Sequence, residues 1–187
     1  MRLLCSRILF ISLFLVFSLP TLAADADLLI RNARVVDGTG SPWFLSDVAV
    51  TDGRISAMGR NLDVDADRTI DSNGRVLSPG IVDVHTHVES SSRRKGLADN
   101  PRADNFLLDG VTTIITGNCG GSEIDVAGYA NRLDGLGINV ATFIGHNTVR
   151  REVVGLDDRP PTAAEMEEMK ALVDKAMRDG AVGFSTG

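Results

Sequence analysis

Hydrophobic and polar positions divide the chain into three stretches. In the first, Arg2 and Arg7 precede an apolar run over residues 8–19 that only Ser12 and Ser18 interrupt, and the small residues of Pro20-Thr21-Leu22-Ala23-Ala24 follow. That order predicts a secretory signal over residues 1–23, cleaved after Ala23. A bilayer span needs about 20 apolar residues, more than this run offers.

The second stretch, residues 24–78, alternates short apolar runs with turn signals. Leu28-Leu29-Ile30 and Ala33-Arg34-Val35-Val36-Asp37-Gly38 predict a first hairpin. Residues 46–59 predict a second, turning at Asp52-Gly53, a pair that tolerates φ > 0. Asn73-Gly74 predicts a third turn of the same kind. The outcome is a small, sandwich-like β-domain with a structural role.

In the third stretch, residues 79–187, apolar runs of strand length at 81–87, 111–116, 139–144 and 181–186 are separated by helical or polar segments. Residues 101–109 predict a short helix stopped by Gly110. A second helix is predicted from Ser122, as its cap, to about Leu133. The clearest spans residues 163–178, where Thr162 and Glu165 make a capping box and Asp179-Gly180 a stop. Its Met166, Met169, Leu172, Val173, Ala176 and Met177 recur at helical spacing, which predicts the methionines in the core. Ser90-Ser91-Ser92-Arg93-Arg94-Lys95 reads as a solvated loop or a substrate-binding one, and residues 145–161 as a long loop. Strands separated by helices predict parallel β/α units.

The candidate chemistry sits at the ends of those strands. Alternation along Pro79-Gly80-Ile81-Val82-Asp83-Val84-His85-Thr86-His87-Val88-Glu89 puts Asp83, His85 and His87 on one face and Val82, Val84 and Val88 on the other. In a (β/α)8 barrel the valine face packs beneath helices, while the other face carries function at the C-terminal mouth. Two imidazoles two residues apart then converge on one point, which suits a divalent ion such as zinc. Cys119, after the second such strand, is a further candidate ligand because thiolate binds zinc well and Gly-Asn-Cys-Gly-Gly is not an apolar setting. His146, after the third, is a candidate for substrate contact or a loop-positioning hydrogen bond. Arg150 and Arg151 are candidates for pairing with a substrate carboxylate or for surface ion pairs.

Pro-Gly-Ile-Val-Asp-Val-His-Thr-His resembles the first-strand signature of the amidohydrolase superfamily. Gly110-Val111-Thr112-Thr113-Ile114-Ile115-Thr116-Gly117-Asn118-Cys119-Gly120 and Gly145-His146-Asn147-Thr148-Val149-Arg150-Arg151 resemble the narrower D-aminoacylase (N-acyl-D-amino-acid deacylase) family, from about Asp27 to the last residue. The resemblance implies an α/β architecture: the first half of a (β/α)8 TIM-type barrel over residues 79–187, truncated after four strands and preceded by the small β-domain of residues 24–78. It implies one or two Zn2+ ions, with His85 and His87 serving one position and Cys119 the other. It also implies hydrolysis of the amide bond of N-acyl-D-amino acids, by zinc-bound water and an aspartate general base. The family's remaining histidine ligands and its aspartate have no counterpart in residues 1–187, so the chain alone is expected to be inactive. The fourth strand holds no lysine, since the only lysines are Lys95, Lys170 and Lys175. That weakens a dihydroorotase- or hydantoinase-like reading. A hydrolase of dipeptides or cyclic amides, a non-catalytic exported binding module and a pseudogene remnant stay open.

Composition changes this picture little. The chain has 187 residues, 43% hydrophobic and 24% charged, and a net charge of −6. The acidic balance gives no footprint for nucleic acid. Of the two cysteines, Cys5 falls in the signal, which leaves Cys119 without an intrachain disulfide partner in a periplasmic or secreted product. After signal cleavage no membrane span is expected. The partner is a small-molecule substrate, and the oligomeric state is left open.

Overall fold

The computed structural model describes residues 26–89 and 96–187. The expected secretory signal and the polar segment from Ser90 to Lys95 lie outside them. The chain divides into two compact units, Met1–Ser78 and Pro79–Gly187.

The first unit is one five-stranded sheet built from β1 (Ala26–Val35), β2 (Phe44–Thr51), β3 (Arg54–Gly59), β4 (Ala66–Asp71) and β5 (Val76–Leu77). The second layer of a sandwich is not supplied by its described residues. β1, β2 and β3 run antiparallel, while β4 and β5 both pair parallel to β1. The Asp52-Gly53 turn joins β2 to β3 with φ of 51° and 68°, as its residue types predict.

Two other expectations fail here for one reason. The segments around Leu29 and Val35 are not arms of a hairpin but parts of the single strand β1. Its bulge at Asn32 (φ 57°) is held by the Asn32 N–H donating to Asp47 Oδ1 at 2.9 Å. Asn73-Gly74 adopts left-handed conformations, yet the chain does not reverse. Ser72 N donates to Arg31 O at 2.9 Å and Gly74 N to Asn32 O at 3.0 Å, so the excursion tracks the bulge of β1 and β5 continues beside the same strand. The extra residue of the bulge has no counterpart in β2, whose pairing steps from Val48 opposite Ile30 to Ser46 opposite Ala33.

The second unit is α/β. β6 (Ile81–Asp83), β7 (Val111–Thr116) and β8 (Asn139–Thr142) form a parallel sheet in that order, and β9 (Ile144–Gly145) pairs parallel with β10 (Phe184–Ser185). The helices are α1 (Asp104–Leu108), α2 (Val126–Arg132), α3 (His146–Val153) and α4 (Ala163–Arg178). α4 has the predicted bounds, and both arms of its Thr162–Glu165 capping box are present. Arg159 reinforces the cap, donating to both Glu165 oxygens at 2.7 and 2.8 Å.

Elsewhere the elements differ from expectation. β6 stops at Asp83 because the Asp83 carboxylate accepts from the His85 N–H at 3.2 Å, which turns the backbone aside. Val82 and Val84 are exposed, and the buried residue of this run is Thr86. Ser122 is not a helix cap; the cap of α2 lies three residues later, where Asp125 Oδ1 accepts from Gly128 N. Residues 146–153, expected as loop, form α3. Its sequence, His-Asn-Thr-Val-Arg-Arg-Glu-Val, is weak in helix formers. Tertiary bonds carry it: Val149 is buried, and the Thr148 hydroxyl both donates to Ser122 O and accepts from Ser122 N, each at 3.0 Å. Of the α4 methionines only Met169 is buried; Met166 and Met177 stay exposed. They border an open hollow of about 530 Å3 beside His146 and Phe184.

Two cores organise the unit. One gathers Ile144, Val149, Met169 and Ala176 between β9, α3 and α4. The other gathers Leu97, Val111, Ile114 and Ile138 beneath β7. Among the described residues no helix is long and apolar enough to cross a membrane.

Tyr129, on α2, is the sole tyrosine of the chain. Its ring is buried, and its hydroxyl has no hydrogen-bond partner among the described residues. Burial, then the negative charges of Glu89 and Glu123, push its pKa from 10.0 up to about 12. The folded state keeps the phenol neutral, so this contribution to stability is intact below about pH 10 and fades as pH rises toward about 12. Tyrosinate absorbance is therefore expected to titrate near pH 12 in the folded chain and near pH 10 in denaturant. Equal midpoints in the two conditions would contradict the burial argument.

Candidate metal centre

The predicted ligands of the second unit come together. His85 and His87 follow β6, and Cys119 follows β7. Their ligand atoms, one per residue, all lie within 4.8 Å of one another, and all three residues are exposed. Cys119 Sγ stands 3.4 Å from His85 Nε2. The two imidazoles meet edge-on, with ring centroids 5.4 Å apart.

These distances can be tested against zinc. Bonds of about 2.3 Å to sulfur and about 2.0–2.1 Å to nitrogen, at a tetrahedral angle, put the two ligand atoms about 3.5 Å apart. The observed 3.4 Å matches one ion touching both His85 and Cys119. Two imidazoles and a thiolate also form a borderline-soft donor set, which suits zinc better than magnesium or calcium. The residues present therefore fit the metal.

The thiol is aimed by an unusual loop. Gly117, Cys119 and Gly120 all have left-handed backbones, with φ of 78°, 53° and 71°. For a residue with a side chain this costs about 1–3 kcal/mol, and it persists only where surrounding contacts over-determine it. Several do so here. Asn118, buried, donates through Nδ2 to Ile115 O at 3.0 Å and to Thr86 O at 3.4 Å. That ties the thiol loop to the residue between the two histidines. Thr148 N donates to Gly120 O at 3.1 Å and Asn147 Nδ2 to Cys119 O at 3.5 Å, so α3 braces the far side.

Other predicted site residues stand apart from the cluster or are occupied elsewhere. His146 begins α3 and packs its ring edge-on against Phe184, 6.1 Å between centroids. Arg150 donates to the carbonyls of Gly155, Asp157 and Arg159, so its guanidinium clasps the segment between α3 and α4. Arg151 borders a different hollow, with Ser122, Glu123 and Glu152.

The reading from sequence omitted Glu89, Thr116 and Ser185. Glu89 continues the alternation of Asp83, His85 and His87, which was its only available signal. Its carboxylate oxygen accepts from Thr116 Oγ1 at 2.5 Å and from Gly117 N at 2.7 Å. Ser185 reaches the same loop from β10, and nothing local in the sequence marks that contact.

No family model matches the chain. The N-acyl-D-aspartate deacylase of Alcaligenes xylosoxydans xylosoxydans is 34% identical over 189 residues, which cover 88% of this chain and 37% of that protein. Among solved structures, N-acyl-D-glutamate deacylase from Bordetella bronchiseptica, complexed with zinc and a phosphonate that mimics the tetrahedral intermediate, matches with a TM-score of 0.78 and 32% identity over 88% of this chain and 39% of that one. A D-aminoacylase studied for its binuclear metal centre matches with a TM-score of 0.77 and 33% identity over 87% of this chain and 38% of that one. The chain thus spans 37–39% of the length of these relatives.

Proposed function

We propose that this chain, a homologue of the D-aminoacylase amidohydrolases over most of its length, supplies the zinc-binding portion of a hydrolase that cleaves the amide bond of N-acyl-D-amino acids. The observation that carries the reading is the convergence of His85, His87 and Cys119 to within 4.8 Å. In this reading the β/α unit is the first four strands of a closed barrel, and the product is exported by its N-terminal signal.

In place of the expected division, with His85 and His87 at one position and Cys119 at the other, the 3.4 Å approach favours His85 and Cys119 holding one Zn2+ ion, with His87 completing the set or serving a second ion. Held by these residues, the ion would supply an acidified water and polarisation of a scissile carbonyl. The protein's own part is positional. His85 and His87 are carried on a backbone that Asp83 turns, Cys119 on a braced left-handed loop. Because the three groups are exposed, a substrate amide can reach them directly. The chain spans 37–39% of the length of its relatives, and in this reading the general base and any further ligands come from the part it does not span.

A chimera tests this reading. Residues 26–187 replace the matching segment of the Bordetella bronchiseptica enzyme, and zinc content and hydrolysis of N-acetyl-D- and N-acetyl-L-amino acids are measured. Zinc-dependent turnover of the D-enantiomers alone is the expected result. A folded chimera that retains no zinc, or prefers the L-series, sinks the proposal.

A further inference from the structure

We propose that Glu89 and Ser185 are positioning residues that clamp the loop of Cys119 from opposite sides and so set the distance between its sulfur and His85. The inference rests on the zinc reading above. It concerns residues that the motifs do not mark.

The clamp is visible bond by bond. From the β6 side, Glu89 Oε1 accepts from Thr116 Oγ1 at 2.5 Å and from Gly117 N at 2.7 Å. From the β10 side, Ser185 Oγ donates to Gly117 O at 2.5 Å and accepts from Gly120 N at 3.1 Å. Gly117 is thus held through its N–H by one residue and through its C=O by the other. Gly120, on the far side of the thiol, is held by Ser185. The bonded residues bracket Cys119, whose own backbone is left-handed.

Such bracketing has a chemical consequence. A metal ligand is worth its place only if the loop holds it within a few tenths of an ångström of the coordination distance, and the groups that orient ligands commonly contribute 10–100-fold in affinity. Serine suits this place because one hydroxyl both donates and accepts. Glu89 meets the loop through one acceptor oxygen, which the amide oxygen of glutamine also supplies, so glutamine is expected to keep both bonds. Packing tightens the fit further: a Cβ on Gly187 would lie 2.3 Å from Cys119 O, so the chain after Ser185 runs against the cysteine backbone.

The test uses the 187-residue chain carrying Cys5→Ser, so that Cys119 is the only thiol, and has two arms. In the metal-free arm, amide hydrogen exchange is followed by NMR. Ser185→Ala is expected to speed exchange at Gly120, and Glu89→Ala at Gly117. In the metal arm, Co2+ is titrated and its sulfur-to-metal absorption recorded. Each alanine variant is expected to bind Co2+ about 10–100-fold more weakly, with Ser185→Thr and Glu89→Gln restoring affinity to within about threefold of the starting chain. Unchanged exchange at both glycines overturns the clamp. Faster exchange with unchanged Co2+ affinity overturns the positioning role. A starting chain that shows no sulfur-to-cobalt absorption overturns the zinc reading instead, and the exchange arm still decides the clamp.

Discussion

Cys119→Ser is expected to weaken Zn2+ binding by about 100-fold or more, equivalent to about 2.8 kcal/mol, and to abolish the sulfur-to-metal absorption of the Co2+ form. A thiolate gives the ion a full negative charge and a polarizable donor. The serine hydroxyl stays neutral at pH 7, and its oxygen forms a shorter bond from the same Cβ, so it cannot occupy the position of Sγ. The backbone should tolerate the change, since Cys119 is exposed and fills no core. Loss of affinity with little loss of thermal stability is therefore the signature of a ligand, and competition with a chromophoric chelator measures it. Equal zinc affinities for the two proteins would leave the 3.4 Å approach of sulfur to His85 without a chemical role.

Gly145→Ala is expected to cost about 1–3 kcal/mol of folding stability and to weaken metal binding at the same time. Gly145 has an ordinary extended backbone (φ −92°), so alanine meets no conformational penalty there. The obstacle is steric. A Cβ would stand 2.3 Å from Gly120 O, 2.4 Å from Gly120 C and 2.8 Å from Gly121 N, all backbone atoms that no rotamer change can move. Relief requires β9 and the thiol loop to separate, and that loop carries Cys119. In a urea melt the midpoint should fall, and Co2+ titration of the same protein should show reduced affinity. A variant with the original melting curve and affinity would mean that the close approach of β9 to the loop has no bearing on the site.

Both expectations concern contacts between segments far apart in the chain, and these were the least legible from sequence. α4 was readable end to end because its signals are local: Thr162 and Glu165 satisfy each other's backbone, and Asp179-Gly180 ends the helix within one turn. The Asp52-Gly53 hairpin was readable for the same reason. Asn73-Gly74 carries an equally strong signal and adopts the expected left-handed pair, yet makes no hairpin. The path of the chain beyond Gly74 is set by the neighbouring strand β1, whose bulge lies some 40 residues earlier. α3 was missed because its octapeptide has little helical preference of its own and is held by Ser122 and the buried Val149.

The same division runs through the candidate site. His85, His87 and Cys119 could be singled out from sequence, because donor type is a property of the residue and strand ends can be inferred from the spacing of apolar runs. Their convergence could not be measured there, nor could the stopping of β6 at Asp83, which only the turn onto the His85 N–H reveals. The pairing of Glu89 and Ser185 with the thiol loop depends on how β6, β7 and β10 approach one another in space. Sequence alone thus determined which groups are chemically able to bind a metal and which short segments fold under their own local bonds. Tertiary structure decided where those groups point, because a left-handed cysteine and an unfavoured helix hold their shape only through hydrogen bonds from residues distant in the chain.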